Sequence, residues 1–129
     1  MYLKSKDSGD LGRKGEDLAC QYLEKIGHTI LERNVHSGHL EIDIISMDSH
    51  GIHFVEVKTR RAPVQLTPED CVTPIKQKRI TKAAKDWLRK KENKFLAGKE
   101  YSFDIMGILF DRDNYEINYI EQAFIPLYV

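Results

Sequence analysis

Between Leu40 and Arg61, apolar and polar residues alternate in two short runs. Leu40, Ile42 and Ile44 interleave with Glu41 and Asp43, and Val55 and Val57 interleave with Glu56 and Lys58, the period of two expected of strands. The intervening Asp48-Ser49-His50-Gly51 is polar and ends in glycine, which suits a four-residue hairpin loop. With Met47 facing Ile52, the register sets Asp43 opposite Glu56 and Glu41 opposite Lys58. Ile42 and Ile44 then meet Val57 and Val55 on the other face. A slip of one residue would mix apolar and charged positions on both faces.

Periodicity places the remaining elements around this hairpin. Residues Met1 to Gly9 are polar and read as a flexible tail, leaving 10–129 as a single domain. Leu11, Leu18, Ala19, Tyr22, Leu23 and Ile26 follow helical spacing up to Gly27, predicting a helix from about Leu11 to Ile26. His28 to Asn34 reads as a strand, with a turn around Ser37-Gly38. Ala62 to Thr73 holds Pro63 and Pro68 without a clear period and reads as a loop. Thr73-Pro74 supplies an N-cap and a proline at N1 for a second helix, whose core stripe is Ile80, Ala83, Ala84, Trp87 and Leu88. Tyr101 to Phe110 and Tyr115 to Phe124 form a last hairpin around Asp111-Arg112-Asp113-Asn114.

Composition narrows the class. The chain of 129 residues is long enough for one domain with a core that needs no staples. Lys plus Arg (20) equals Asp plus Glu (20), which argues against tight non-specific binding of DNA through a global field. Cys20 and Cys71 have no metal spacing and suit a reducing cytoplasm. No apolar run reaches membrane length, and the N-terminus is too polar for a signal peptide. A soluble cytoplasmic protein with no membrane partner is the expectation.

The charged face of the hairpin is where chemistry is expected. Two facing carboxylates repel, so one takes a proton or a cation sits between them. Carboxylate oxygens with few other ligands suit Mg²⁺ or Mn²⁺. Lys58 lies two residues after Glu56 on the same face. Two carboxylates, a metal and an amine are the minimum set for hydrolysing a phosphodiester. The bland alternative is a solvated strand with cross-strand Glu–Lys pairing.

Glu16 stands out on the first helix. It lies within about 20° of Leu23 and about 60° of Ala19, so it leans toward the buried side. Its structural alternative is a position near the helix N-terminus, partnered by Arg13 or Lys14. On the second helix Lys78, Lys82, Lys85 and Arg89 form one basic face, which is either merely solvated or tracks a phosphate backbone. Asp104, amid apolar residues, reads as a satisfied structural aspartate; His36, His39, His50 and His53 lack ligand spacing and read as incidental.

The segments GRKGEDLACQYLEKIG, RN, EIDII, FVEVKTR, the K-x-x-R-I of Lys76 to Ile80 and FDI at Phe103 to Ile105 resemble the YraN-like family of uncharacterised bacterial proteins. The resemblance spans Gly12 to Ile105. It implies an α/β fold with a restriction-endonuclease-like core of the Holliday-junction-resolvase type, a central mixed sheet flanked by helices on both faces. The implied activity is a Mg²⁺- or Mn²⁺-dependent endonuclease acting on DNA, commonly branched, as a homodimer. Carried over residue by residue, the implied catalytic groups are Glu16, Asp43, Glu56 and Lys58. Asp43, Glu56, Glu16 and the Val57 carbonyl become the implied metal ligands. Arg60, Arg61, Lys76, Lys78, Arg79 and Lys82 become phosphate contacts. Three departures stand out: Ile42 where the superfamily often has proline, Leu40 where the family usually has glycine, and Ser102 where it often has arginine. The rival from another class is a nuclease fold without turnover that binds nucleic acid or a protein.

Overall fold

The computed structural model describes residues 5–64 and 72–124. In chain order these form α1 (Ser5–Lys25), β1 (Thr29–Ser37), β2 (Leu40–Asp48), β3 (Gly51–Arg61), α2 (Pro74–Leu88), a 3-10 segment (Lys91–Leu96), β4 (Tyr101–Asp111) and β5 (Asn114–Phe124). The strands make one sheet in the order β1-β2-β3-β4-β5. Only β3 and β4 pair in parallel, and the connection between them carries α2, since parallel neighbours need a crossover.

Each helix covers one face of the sheet. Leu11, Ala19, Cys20 and Leu23 of α1 pack on Ile44, Val55, Met106 and Ile108. On the other side Ile80, Ala83, Ala84 and Trp87 of α2 pack on Val35, Ile42, Ile45, Ile52, Phe54 and Phe103, with Leu96. This is the α/β architecture the resemblance implies, a central mixed sheet with helices on both faces. Truncating a fully buried side chain such as Leu23 would cost about 2–5 kcal/mol.

Local chemistry sets the element ends. Thr73 accepts the Lys76 N–H at 3.2 Å as N-cap of α2, with proline in its first turn, as predicted. Gly27, at φ +102°, closes α1 while His28 N–H bonds back to the Leu23 carbonyl. Gly51, at φ +139°, passes so close to β4's approach that an added Cβ would stand 2.3 Å from the Glu100 carbonyl oxygen; a side chain is excluded there on two counts.

Several expectations change. Helix α1 begins at Ser5, inside the segment predicted as tail. Strand β1 starts at Thr29 and continues past Asn34 to Ser37. The β2–β3 loop is tighter than predicted, because Asp48 pairs with Gly51 and only Ser49 and His50 lie outside the ladder. Most of the predicted proline loop, with Pro68 and Cys71, lies outside the described residues.

The hairpin register holds from Asp48/Gly51 to Ile44/Val55 and no farther. Ile42 and Ile44, two residues apart, join opposite hydrophobic clusters, so β2 rotates about its own axis at Asp43. Strand β1 rotates beside it. Arg33 pairs with Ile44 and Val35 with Ile42, and Asn34 between them takes φ +51°, a left-handed conformation that Asn tolerates. The predicted facings of Asp43 with Glu56, of Ile42 with Val57 and of Glu41 with Lys58 are therefore absent from the ladder. Glu41 pairs with His36 of β1 instead. Strict alternation assumed a flat strand, and the twist at Asp43 overrides it.

Candidate functional site

Where β2 turns away from β3, a side chain takes over the ladder. The Val57 N–H donates to Asp43 Oδ2 at 2.8 Å. That bond fixes the Asp43 carboxyl against β3, beside Glu56. Lys76, at the start of α2, reaches Glu56 Oε1 at 2.7 Å, and Lys58 Nζ lies 3.8 Å from the same oxygen. Asp43, Glu56 and Lys76 line a cleft of about 450 Å³ between the sheet and α2, together with Glu41, Arg79 and Ile80.

Electrostatics in this cleft is strained. Burial and the neighbouring Glu56 push the Asp43 carboxyl up to about 7, against the opposing pull of the Val57 N–H. Burial and the neighbouring Lys76 lower the Lys58 ammonium below its ordinary value. For Lys76, burial is outweighed by Glu56 and the shift is upward. The Asp43 carboxyl thus titrates near neutral pH beside the Glu56–Lys76 ion pair, and the Lys58 amine next to that pair is biased toward its neutral form.

Glu16 reaches the same region from the other side of the sheet. It sits in the middle of α1, not near its N-terminus, so the macrodipole does not hold it. Neither Arg13 nor Lys14 is its partner: Arg13 pairs with Asp10, and the nearest cation to Glu16 is Arg33, 4.0 Å from Oε1. Arg33 bonds Asp17 at 2.9 Å instead. Glu16 Oε1 is buried without a hydrogen-bond partner, and burial raises its carboxyl, with Arg33 opposing. Glu16 also acts electrostatically on Asp43. The helix comes this close because residue 15 is glycine: a Cβ there would stand 2.3 Å from Thr59 Oγ1 of β3.

The predicted phosphate contacts divide. Lys76 is engaged by Glu56. Lys78, Arg79 and Lys82 line a groove with Ser37, Gly38 and His39 that shares His39, Leu40, Ile75 and Arg79 with the acidic cleft. Lys82 also bonds Asp86 at 3.0 Å. Arg60 turns back to the Thr59 carbonyl at 2.8 Å, and Arg61 is exposed at the end of β3.

A second cluster lies at the opposite end of the hairpin, on the α1 face. Asp104 is fully buried and accepts from His53 Nδ1 (2.7 Å), Ser102 Oγ (2.9 Å), the Gln122 N–H (3.0 Å) and the Tyr119 hydroxyl. It is the satisfied structural aspartate expected. His53 is not incidental: its Nε2 reaches Asp48 Oδ1 at 2.9 Å. Held between two carboxylates, His53 is raised to about 9 despite its burial, and Asp48 is lowered to about 2 by His53 although burial opposes it.

Among the described residues, one set of three or more His, Cys, Asp or Glu side chains brings its ligand atoms within 4.8 Å of one another: His28, Asp48, His53 and Glu121. Glu16, Asp43 and Glu56 do not converge that closely. The sequence reading missed this set, although the hairpin register carried a signal. Ser46 opposite His53 and Asp48 opposite Gly51 place Asp48 and His53 diagonally on one face. His28 and Glu121 come from distant elements and had no such signal.

No helix among the described residues is long and apolar enough to cross a membrane. Known relatives match most of the chain. A UPF0102 protein from Syntrophomonas wolfei is 44% identical over 115 residues, covering 89% of this chain and 97% of the relative. Another from Geotalea uraniireducens is 42% identical over 127 residues, covering 95% and 97%. Among solved structures, Pyrococcus furiosus SfsA in complex with Ca²⁺ is similar at a TM-score of 0.39 and 17% identity, covering 88% of this chain and 63% of that one. A protein of unknown function from Silicibacter pomeroyi is similar at 0.36 and 17%, covering 98% and 79%. The model of the uncharacterised protein family UPF0102 matches residues 15–108, from the glycine against β3 through Asp43, Glu56 and Lys58 to β4, and the chain belongs to that family.

Proposed function

We propose that this protein is a divalent-metal-dependent endonuclease that hydrolyses DNA phosphodiesters, acting as a homodimer on branched DNA. The observation that carries the proposal is the Asp43 carboxyl, pinned by the Val57 N–H beside Glu56 and raised to about 7 in a cleft shared with Lys76, with Lys58 Nζ 3.8 Å from Glu56 Oε1. A protein gains nothing in stability from two crowded carboxyls, so such a pair marks a site under a demand other than folding.

The donor set suits Mg²⁺ or Mn²⁺. Asp43 and Glu56 would hold the ion with the Val57 carbonyl, and Glu16, whose buried Oε1 has no hydrogen-bond partner, would complete the shell through water. When bound, the ion supplies Lewis-acid polarisation of a phosphate and a more acidic water. The chain's own residues do the rest. Lys58, with its ammonium destabilised, orients a water or takes up its proton. Lys76 holds Glu56 in place and carries the charge facing a phosphate. Lys78, Arg79 and Lys82 give the strand a basic path beside the cleft.

One contact favours a second reading, a nuclease fold that binds DNA without cutting it. Lys76 already neutralises Glu56 at 2.7 Å, as a cation would. Incubation of the protein with labelled branched and linear DNA, with Mg²⁺, Mn²⁺ or chelator, separates the two. The endonuclease reading expects metal-dependent cutting that falls at least about 100-fold in Asp43→Asn and in Lys58→Ala. Cutting that is unchanged in both variants removes the mechanism. Salt-sensitive DNA binding with no metal-dependent cutting supports the binding module.

A further inference from the structure

The cluster at the other end of the hairpin has the construction of a transition-metal site. Metal-bound imidazoles characteristically have their second nitrogen held by a carboxylate, carbonyl or hydroxyl, which fixes ring orientation. Both histidines here are held that way. His53 Nδ1 is fixed by Asp104 at 2.7 Å, and His28 Nδ1 faces Ser46 Oγ at 2.9 Å. Both Nε2 atoms consequently turn toward one carboxylate, His53 to Asp48 Oδ1 at 2.9 Å and His28 to Asp48 Oδ2 at 3.5 Å. The rings lie 4.5 Å apart, and the Glu121 carboxylate completes a set whose ligand atoms all fall within 4.8 Å.

Four separate elements contribute. His28 precedes β1, Asp48 ends β2, His53 lies on β3 and Glu121 on β5. The β5 residue arrives through a local irregularity: the β4–β5 register shifts between Phe103 and Ile105, and Gln122 adopts φ +50°. That bulge turns the Gln122 N–H onto Asp104, and bulges commonly re-aim neighbouring side chains. The approach is open, because His53 and Glu121 both line a surface cavity of about 470 Å³ with His50, Glu100 and Ser102.

We propose that His28 Nε2, His53 Nε2, Asp48 and Glu121 form a binding site for a late first-row divalent transition metal of the Zn²⁺ class, distinct from the Asp43–Glu56 cleft. Two imidazoles and two carboxylates match that class, whereas Mg²⁺ prefers an all-oxygen shell. Four ligands from four elements make the role structural: the ion fastens the edge strand β5 and the α1–β1 junction to the central hairpin. Nothing in this inference depends on the proposed nuclease activity.

The test uses the full chain freed of metal. Zn²⁺ is titrated in competition with a chromophoric chelator, and Co²⁺ is titrated with its visible d–d bands as a report of four-coordinate geometry. The expected result is one tight equivalent taken from the chelator, intense tetrahedral Co²⁺ bands from that equivalent and a raised melting temperature with Zn²⁺. Affinity falls at least about tenfold in His28→Asn and in Glu121→Gln, and stays unchanged in Asp43→Asn. Glu121 is exposed, so its variant reports on binding without disturbing the core. Failure of the wild type to take Zn²⁺ from the chelator overturns the site. Binding indifferent to Glu121→Gln and His28→Asn, or abolished by Asp43→Asn, overturns it equally.

Discussion

Replacing Asp43 with asparagine removes a charge that the fold tolerates poorly while keeping its shape. The remaining Oδ still accepts the Val57 N–H, which sits at 2.8 Å in the wild type. Asp43 is an acid whose folded pKa of about 7 lies above its ordinary 3.8, with burial the main cause and Glu56 the next. Ionising it in the folded state therefore costs stability. The cost is absent below pH 3.8, grows as the pH rises and is complete above about 7. Taken at face value, the displacement corresponds to about 4 kcal/mol. The carboxyl is partly exposed and shares its repulsion with Glu56, so about half of that, about 2 kcal/mol, is expected. Urea unfolding of wild type and Asp43→Asn in chelator at pH 4 and pH 8 measures it. The variant should match the wild type at pH 4 and exceed it by about 2 kcal/mol at pH 8, with an unchanged denaturant slope. Added Mn²⁺ should narrow the gap by stabilising the wild type alone. A gap independent of pH, or a variant less stable at pH 8, would refute the electrostatic picture of the cleft.

Three further outcomes are expected. Lys76→Met removes the ammonium that neutralises Glu56 at 2.7 Å; Mn²⁺ affinity by calorimetry should rise several-fold while DNA affinity falls, and a fall in both would contradict the role given to this lysine. Gly15→Ala would ordinarily stabilise a helix by about 1 kcal/mol, but its Cβ would meet Thr59 Oγ1 at 2.3 Å, so thermal unfolding should show a loss of about 1–3 kcal/mol, with partial recovery in Gly15→Ala/Thr59→Ala. His53, raised from 6.5 to about 9, contributes stability that is complete below pH 6.5 and lost as the pH climbs through 9. The metal-free wild type, in chelator, should lose about 3 kcal/mol across that window relative to His53→Gln, and parallel profiles for the two would show that the imidazolium contributes nothing.

How much of this could be read from the chain differs from element to element. The α1 and α2 stripes, the Thr73 cap and the β2–β3 register near the turn were legible because each is a local pattern: helical spacing, a capping hydroxyl, a hairpin closing on itself. Asp43 and Glu56 were legible as neighbours, but they meet through the Asp43 bond to the Val57 N–H and not as the cross-strand pair the register implied. The rotation of β2 at Asp43 was not, since it arises with Asn34 on another strand, and alternation in sequence carries no record of twist. Lys76 was assigned to phosphate because its place over Glu56 depends on how α2 packs after the crossover. The His28–Asp48–His53–Glu121 set joins residues from four elements, and only the Asp48–His53 diagonal lay within reach of a hairpin register. Asp104 was legible as structural from its apolar flanks, but its partners His53 and Tyr119 were not.

On the proposed function, the Asp43–Glu56 cleft holds a divalent ion. Mn²⁺ titration of the metal-free His28→Asn protein, which disables the second cluster, tests it by calorimetry or electron paramagnetic resonance. Saturable binding is expected, lost in His28→Asn/Asp43→Asn and weakened in His28→Asn/Glu16→Gln. Absence of Mn²⁺ binding in the single variant, or binding that persists without the Asp43 charge, would contradict it.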